Sequence, residues 1–403
     1  LELSELVRKI VRETPVVDVH THLFPPTFGD LLRSGFDELL TYHYLIAEIA
    51  RVSPLGEGLL SYPIRRQAEE VWHCLFQQRS PISEACQGVV QTLQRLGFDP
   101  RRDTLGHMRT VWGALPIEER IHRVFELAGV EAAVMTNDPF DPVEAACWRE
   151  GRHVDDRLVP ALRINPLLNA ADAAATTLAQ QGFGADPEGQ RSFLRHWIAR
   201  IRPAYMAVSL PPDFTYPEDS PRGRAIRDVV LPVAREYGLP FALMIGVRRA
   251  VNPRLGLAGD GEGVSDLTGL AALLAENPDV RFLATVLARE NQHELCVLGR
   301  KFSNLLVFGC WWFVNNPSLI REITHMRLEM LGLGFVPQHS DSRVLEQLVY
   351  KWTRSREVIG DVLAEHYQRL SKAGWHVHGD EVRRDVSILL SGNFEAFRAK
   401  YAP

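Results

Sequence analysis

The chain has 403 residues, 46% of them hydrophobic and 24% charged, with a formal net charge of −5. That length fits two domains or one large barrel with an insertion, and the composition is that of a soluble globular protein. The mild acidity, with no long basic run, excludes a nucleic-acid surface. No apolar run is long enough to span a bilayer.

In chain order, Leu1 to Thr14 alternates charged and aliphatic residues as an amphipathic helix does, without the apolar centre of a signal peptide. Val16-Val17-Asp18-Val19-His20-Thr21-His22-Leu23 then reads as a buried strand, stopped by Phe24-Pro25-Pro26. Residues 35–122 carry apolar residues at helical spacing in Phe36–Arg51, Ile64–Phe76 and Glu84–Leu96, and no strand signal. This stretch is expected to be a helical insertion over the C-terminal face. From Ile117 onward the chain alternates. Strands are expected at Glu131–Met135, Leu158–Ile164, Ala204–Leu210, Pro240–Ile245, Val280–Val286, Leu305–Phe308 and Leu333–His339. Helices are expected at Glu118–Leu127, Ser192–Ile201, Arg222–Tyr237, Leu267–Glu276, Glu290–Lys301 and Leu319–Leu331, with a helical tail over 343–403 that reaches Ala402. Gly259-Asp260-Gly261-Glu262-Gly263 reads as turn chemistry in a loop.

Eight strands alternating with helices predict an α/β fold of the (β/α)8 TIM-barrel type, one domain over residues 1–403. A doubly wound sheet would carry phosphate-binding glycines after its first strand, where this chain has His20-Thr21-His22. The five cysteines are scattered and form no Cys-x-x-Cys, which fits a reducing, cytoplasmic setting. The five lysines, Lys9, Lys301, Lys351, Lys372 and Lys400, avoid the predicted strand ends. That argues against a carbamylated lysine bridging two metals and against a Schiff-base lysine.

In a barrel, the C-terminal strand ends hold the chemistry. His20 and His22 share a strand face about 7 Å apart, at roughly 3.3 Å per residue, and can turn onto one metal ion. Hydrogen-bonded histidines at a strand end are the alternative. Asp341, after strand eight, is the natural third ligand, because strands one and eight are neighbours in a closed barrel. Two imidazoles and a carboxylate suit one divalent ion such as Zn2+, and the same carboxylate could carry a proton. The alternative for Asp341 is an N-cap. Arg163 and Arg343 reach the same mouth and suit an acidic substrate, against the alternative of structural ion pairing. Arg248 and Arg249 are weaker candidates. His43 and Tyr44 could contact sugar oxygens or relay protons, although spacing alone favours a half-buried aromatic face. Trp311 and Trp312 could form a sugar-stacking wall or simply pack the barrel.

Taken together, these segments resemble the uronate isomerase (glucuronate isomerase) family of the amidohydrolase superfamily, across nearly the whole chain. His20-Thr21-His22 matches the superfamily's His-x-His, and Tyr42-His43-Tyr44 resembles the family's Asp-His-Tyr. Thr136-Asn137-Asp138-Pro139 is similar to its Thr-Asp-Asp-Pro, and Leu162-Arg163-Ile164-Asn165 to its Phe-Arg-Pro-Asp. Phe308 to Asn315 resembles its Trp-Trp-Phe-Asn segment, and Ser340-Asp341-Ser342-Arg343 matches Thr-Asp-Ser-Arg. The resemblance implies aldose–ketose isomerisation of a hexuronate of the glucuronate or galacturonate type. It implies a metal on His20, His22 and Asp341, substrate held by Arg163 and Arg343, and ring opening or proton transfer by His43, Tyr44 and Asp341. The chain departs from the family where a histidine follows strand four, here Leu210-Pro211, and where another sits on strand five, here Met244. The family's aromatic-His-Trp segment is replaced by Pro81-Ile82-Ser83-Glu84. Those departures keep two other functions in view: a metal-dependent hydrolase or decarboxylase of the same superfamily, and a non-catalytic sugar-acid-binding relative. The expected partner is a small-molecule sugar acid, with no nucleic acid and no membrane. A homo-oligomer is admitted, with no surface assigned to it.

Overall fold

A computed structural model describes residues 2–399. Ten short strands appear: β1 (Val16–Asp18), β2 (Val130–Val134), β3 (Leu158–Val159), β4 (Leu162–Arg163), β5 (Met206–Leu210), β6 (Phe241–Ile245), β7 (Val247–Arg248), β8 (Gly261–Glu262), β9 (Phe282–Val286) and β10 (Leu305–Val307). Two parallel ladders run β1-β2-β3 and β10-β9-β6-β5-β4. A parallel bridge between Asn137 and Leu162 joins them. β3 and β4 are one barrel strand interrupted at Pro160-Ala161, where proline brings no N–H to the ladder.

The ring closes through residues that never form a full ladder. Phe308 bridges Val336, and Val336 N–H donates to Val307 O at 3.0 Å. On the other side, Asp341 N–H donates to His20 O at 3.1 Å and His22 N–H to Ser342 O at 2.8 Å. The fold is therefore the expected (β/α)8 barrel, but its eighth strand is a single bridge rather than a strand over Leu333–His339. Gly332 lies at φ +60° just before this segment and Pro337 interrupts it.

β6 and β9 are buried at all five positions, the mark of parallel strands covered on both faces. Their apolar runs carry no alternation for that reason. Local signals set the helix ends around them. Gly129 and Gly238 terminate their helices in the left-handed region, at φ +64° and +55°. Asp141 and Asn316 cap helices that begin at Pro142 and Pro317.

The segment expected to be a helical insertion, 35–122, consists of short helices joined by irregular turns, and one of its breaks is consequential. Phe36–Leu40 and His43–Ala50 are separate helices, with Tyr42 extended between them. This puts Tyr42, His43 and Tyr44 at a helix start instead of on a continuous helical face. The tail likewise divides. Gln347–Lys372 ends near Gly374 at φ +99°, and Gly379–Ser387 and Asn393–Ala399 follow. Of the expected reach to Ala402, the last three positions lie outside the described residues, as do Leu1 and Pro403. The features not foreseen include the helices Pro142–Arg149 and Ala171–Gln180, and an antiparallel pairing of β7 with β8 where the glycine-rich run was read as a turn. No helix among the described residues is long and apolar enough to cross a membrane.

Candidate active site

β1 ends at Asp18, yet the backbone stays extended and paired. Thr21 N–H donates to Val134 O on one side, while residues 20 and 22 pair with 341 and 342 on the other. Alternation therefore survives past the strand, and both imidazoles reach the barrel mouth. His22 Nε2 lies 3.2 Å and His20 Nε2 3.6 Å from the same atom, Asp341 Oδ1. The three residues form a group able to hold a metal ion.

The donor set fits a metal. Asp341 Oδ1 is buried with no hydrogen-bond partner among the described residues, which is costly for a carboxylate unless a cation joins it. Tyr205 Oη donates to Val19 O at 2.7 Å and lies 3.3 Å from His20 Nδ1. Its only proton is spent on Val19, so it accepts from His20 Nδ1–H, which leaves the Nε2 lone pair facing Asp341. Burial pushes His20 down to about 3, and pushes His22 well below its ordinary value. Both rings are therefore neutral, as ligands must be. Asp341 sits at φ +53°, in the left-handed region that a non-glycine residue seldom enters. It is not an N-cap: the next helix begins at Gln347 and is flanked by Glu346.

Around the trio, His20, His22, Arg163, Asn165, Ser209, Met244, Arg249, Trp311, Trp312 and Arg343 line one small cavity of about 20 Å3. Met244 thus faces the cavity with a thioether, at the strand position where the resemblance expects an imidazole. A second cavity of about 610 Å3 shares Arg163, Asn165, Ser209 and Arg249, and Leu210 and Pro211 line it. It falls within the size range of small-molecule sites, ~300–1,000 Å3. Arg249 stands on the boundary of both and pairs with Asp260, beside β8. It counted as a weaker candidate from sequence because loop arginines are more often solvated charges.

His43 and Tyr44 reach the site from the insertion. The His43 ring meets Trp312 edge-on at 5.4 Å and Tyr44 at 4.8 Å. His43 lines a third cavity, of about 340 Å3, together with Tyr42 and Arg343, so Arg343 borders both spaces. Burial lowers His43 and keeps it neutral, and raises the Tyr44 phenol so that it stays protonated. Lys351, on the helix Gln347–Lys372, lies 5.5 Å over the Tyr44 ring and 3.4 Å from Glu84. No strand-end signal could have found it. His339, at the expected end of strand eight and two residues before Asp341, was given no role from sequence, yet lies buried 5.2 Å from His20. Trp312, at φ +47°, stacks on Phe313 at 5.0 Å.

The loop after β2 is held from below. Glu144 accepts from Asn137 Nδ2 at 2.9 Å, Asp138 N–H at 2.9 Å and Trp148 Nε1 at 3.3 Å. Burial pushes its carboxyl up to about 7 despite these bonds, which favour the charged form.

No protein-family model matches the chain, and no curated protein does. Solved structures do. A uronate isomerase from Thermotoga maritima covers 98% of this chain and 97% of its own, with TM-score 0.74 and 15% identity. A glucuronate isomerase from Caulobacter crescentus covers 100% and 95%, with TM-score 0.77 and 16% identity. At such identity these two speak for the fold alone. A uronate isomerase from Bacillus halodurans superposes with TM-score 0.97 at 48% identity, over 99% of this chain and 97% of that one. Likeness of that depth, carried from one end to the other, extends to the family as well as the fold: this chain belongs to the uronate isomerase family.

Proposed function

We propose that the chain interconverts a hexuronate, of the glucuronate or galacturonate type, with its 2-keto isomer, using one divalent ion, Zn2+, on His20, His22 and Asp341. The observation that carries this reading is a set of buried polar atoms with no partner among the described residues. They are Asp341 Oδ1, His43 Nε2, Arg343 Nε and Trp312 Nε1. Buried polar atoms are nearly always satisfied, and a compact, polyhydroxylated acid supplies both donors and acceptors.

The reaction moves one proton from C2 to C1 and one from O2 to O1, so an aldehyde becomes an alcohol and an alcohol a ketone. A bound divalent ion supplies Lewis acidity to the oxygens that exchange roles. Arg163 and Arg343 bind the carboxylate and neighbouring hydroxyls, since a guanidinium fork matches a carboxylate. Neutral His43 accepts a proton, and protonated Tyr44 donates to a sugar oxygen. Asp341, His43 and Tyr44 together open the ring and shuttle the proton between the two carbons. Trp311 and Trp312 wall off water. The larger cavity beside Arg249, which shares Arg163 and Asn165 with the inner space, is the route by which the substrate reaches it.

The same reading takes residues 1–403 as one barrel domain, with 35–122 as its cover and 343–403 as a helical tail. Contacts such as Trp112 Nε1 to Glu346 Oε1 at 2.7 Å support that unity. It assigns a sugar acid as partner and the cytoplasm as location, in keeping with five cysteines that are all free and buried.

The test is a panel of hexuronates with metal-loaded protein, read by NMR for the ketose and for solvent deuterium entering at C1. Ketose should form from at least one member. His20→Ala or Asp341→Ala should lower kcat about a thousandfold or more, the scale of lost proton-transfer and metal catalysis. No ketose from any member of the panel would remove the proposal.

A further inference from the structure

Away from the barrel mouth, two outer helices bring a second set of ligating side chains together. His325 and Glu329 lie four residues apart on the helix Pro317–Leu331, and so share one face. His366, on Gln347–Lys372, packs against that face. His325 Nδ1 stands 3.1 Å from His366 Nε2. Ligating atoms of His325, Glu329 and His366 all fall within 4.8 Å of one another. None of these residues belongs to the trio at the barrel mouth.

A bare histidine contact across two helices would be unremarkable without the groups behind it. His325 Nε2 is 3.2 Å from Glu365 Oε2. Glu365 is itself anchored by Arg321 Nη1 at 2.8 Å, and Arg321 also grips Asp361 at 3.0 Å. A carboxylate fixed in this way favours, through its charge, the tautomer with the proton on His325 Nε2, which leaves a lone pair on Nδ1. That carboxylate–imidazole arrangement is the one that orients metal-bound histidines. In the protein alone, His366 Nε2–H fills the Nδ1 lone pair. Moving one proton to Nδ1 of His366 turns two lone pairs toward the same point. Two nitrogens on one tetrahedral zinc are about 3.4 Å apart, given Zn–N of ~2.1 Å, so 3.1 Å needs little adjustment. Glu329 is shared with Arg369 at 3.1 Å, but both side chains are more than half exposed and such a pair is weak. Burial, with His325 and Arg369 nearby, lowers His366 and keeps it neutral.

We propose that His325, Glu329 and His366 form a second, non-catalytic site for a borderline transition-metal ion, which clips the two outer helices together. Zinc ranks first among its ions because two imidazoles and one carboxylate form a borderline donor set. Glu365 is a positioning residue for it.

Tag-free apoprotein of full length is titrated with Zn2+ by equilibrium dialysis, with circular dichroism as the check on folding. The wild type should take up two equivalents. His366→Ala and His325→Ala should each take up one, as should His22→Ala, and His22→Ala combined with His366→Ala should take up none. Glu365→Gln keeps the ligands but should weaken the outer site about tenfold, as loss of a group behind a ligand does, and leave the inner one unaltered. With one equivalent loaded, His366→Ala should isomerise at the wild-type rate. A wild type that binds a single equivalent, lost in His22→Ala, overturns the proposal. So does a second equivalent that survives both His325→Ala and His366→Ala.

Discussion

Tyr205 decides which nitrogen of His20 is free. Because its hydroxyl proton goes to Val19 O, it can only accept from His20 Nδ1–H. Tyr205→Phe should therefore weaken metal binding about 10–100-fold, while the KM for substrate stays near wild type. Competition with a calibrated chelator measures this, and unchanged affinity would show the ring is held by other means. At this scale the sequence was informative wherever a residue type and a strand end coincided, as at His20, His22, Asp341, Arg163 and Arg343. It was silent on Tyr205, which lies just ahead of β5 and points inward from the opposite side of the ring. It was silent on Lys351 too, since that residue acts across a helix–helix contact between positions far apart in sequence.

Elements carry the next constraints. Gly309 follows β10 at φ +67°, and a Cβ there would lie 1.8 Å from the His339 ring. Gly309→Ala should destabilise the protein by roughly 2–5 kcal/mol, combining left-handed strain with overpacking. A lowered denaturation midpoint without a change in slope is the expected signature. The loop after β2 makes a different prediction, through Glu144. Its carboxyl titrates at about 7 in the fold, against an ordinary 4.5. Between those values the folded state holds a proton that the unfolded chain has lost. Glu144 therefore stabilises most below pH 4.5, and its contribution falls as pH rises through 7, by at most roughly 3 kcal/mol. Unfolding free energies of wild type and Glu144→Gln across pH 5–8 should diverge in slope, with the variant flatter. Most elements could be read from the sequence because parallel strands and capped helices leave clear local marks. The break at Tyr42, the interruption at Pro160 and the reduced eighth strand were not. The first is imposed by packing against distant partners, whereas the other two follow from prolines at 160 and 337 that the reading of apolar runs passed over.

The whole molecule is held by its last long helix. Arg356, on Gln347–Lys372, donates from Nη1 to Val11 O, Arg12 O and Thr14 O at 2.7–2.9 Å, and from Nη2 to Gly129 O at 2.6 Å. One guanidinium thus fastens the approaches to β1 and β2. Arg356→Ala should cost about 1–3 kcal/mol, because it removes the donor from one buried and three partly buried carbonyls; guanidinium denaturation would register the loss, and Arg356→Lys should recover only part of it. The same architecture has a consequence for synthesis. Of the three residues proposed to hold the inner ion, His20 and His22 emerge early, and Asp341 follows roughly 320 residues later, a delay of about 16–64 s at ~5–20 residues per second. During that interval the ribosome-bound chain offers a cation only a pair of loose imidazoles. On the proposed reading, loading of the ion is thus a late event, and the availability of metal acts on the closed barrel rather than on its making.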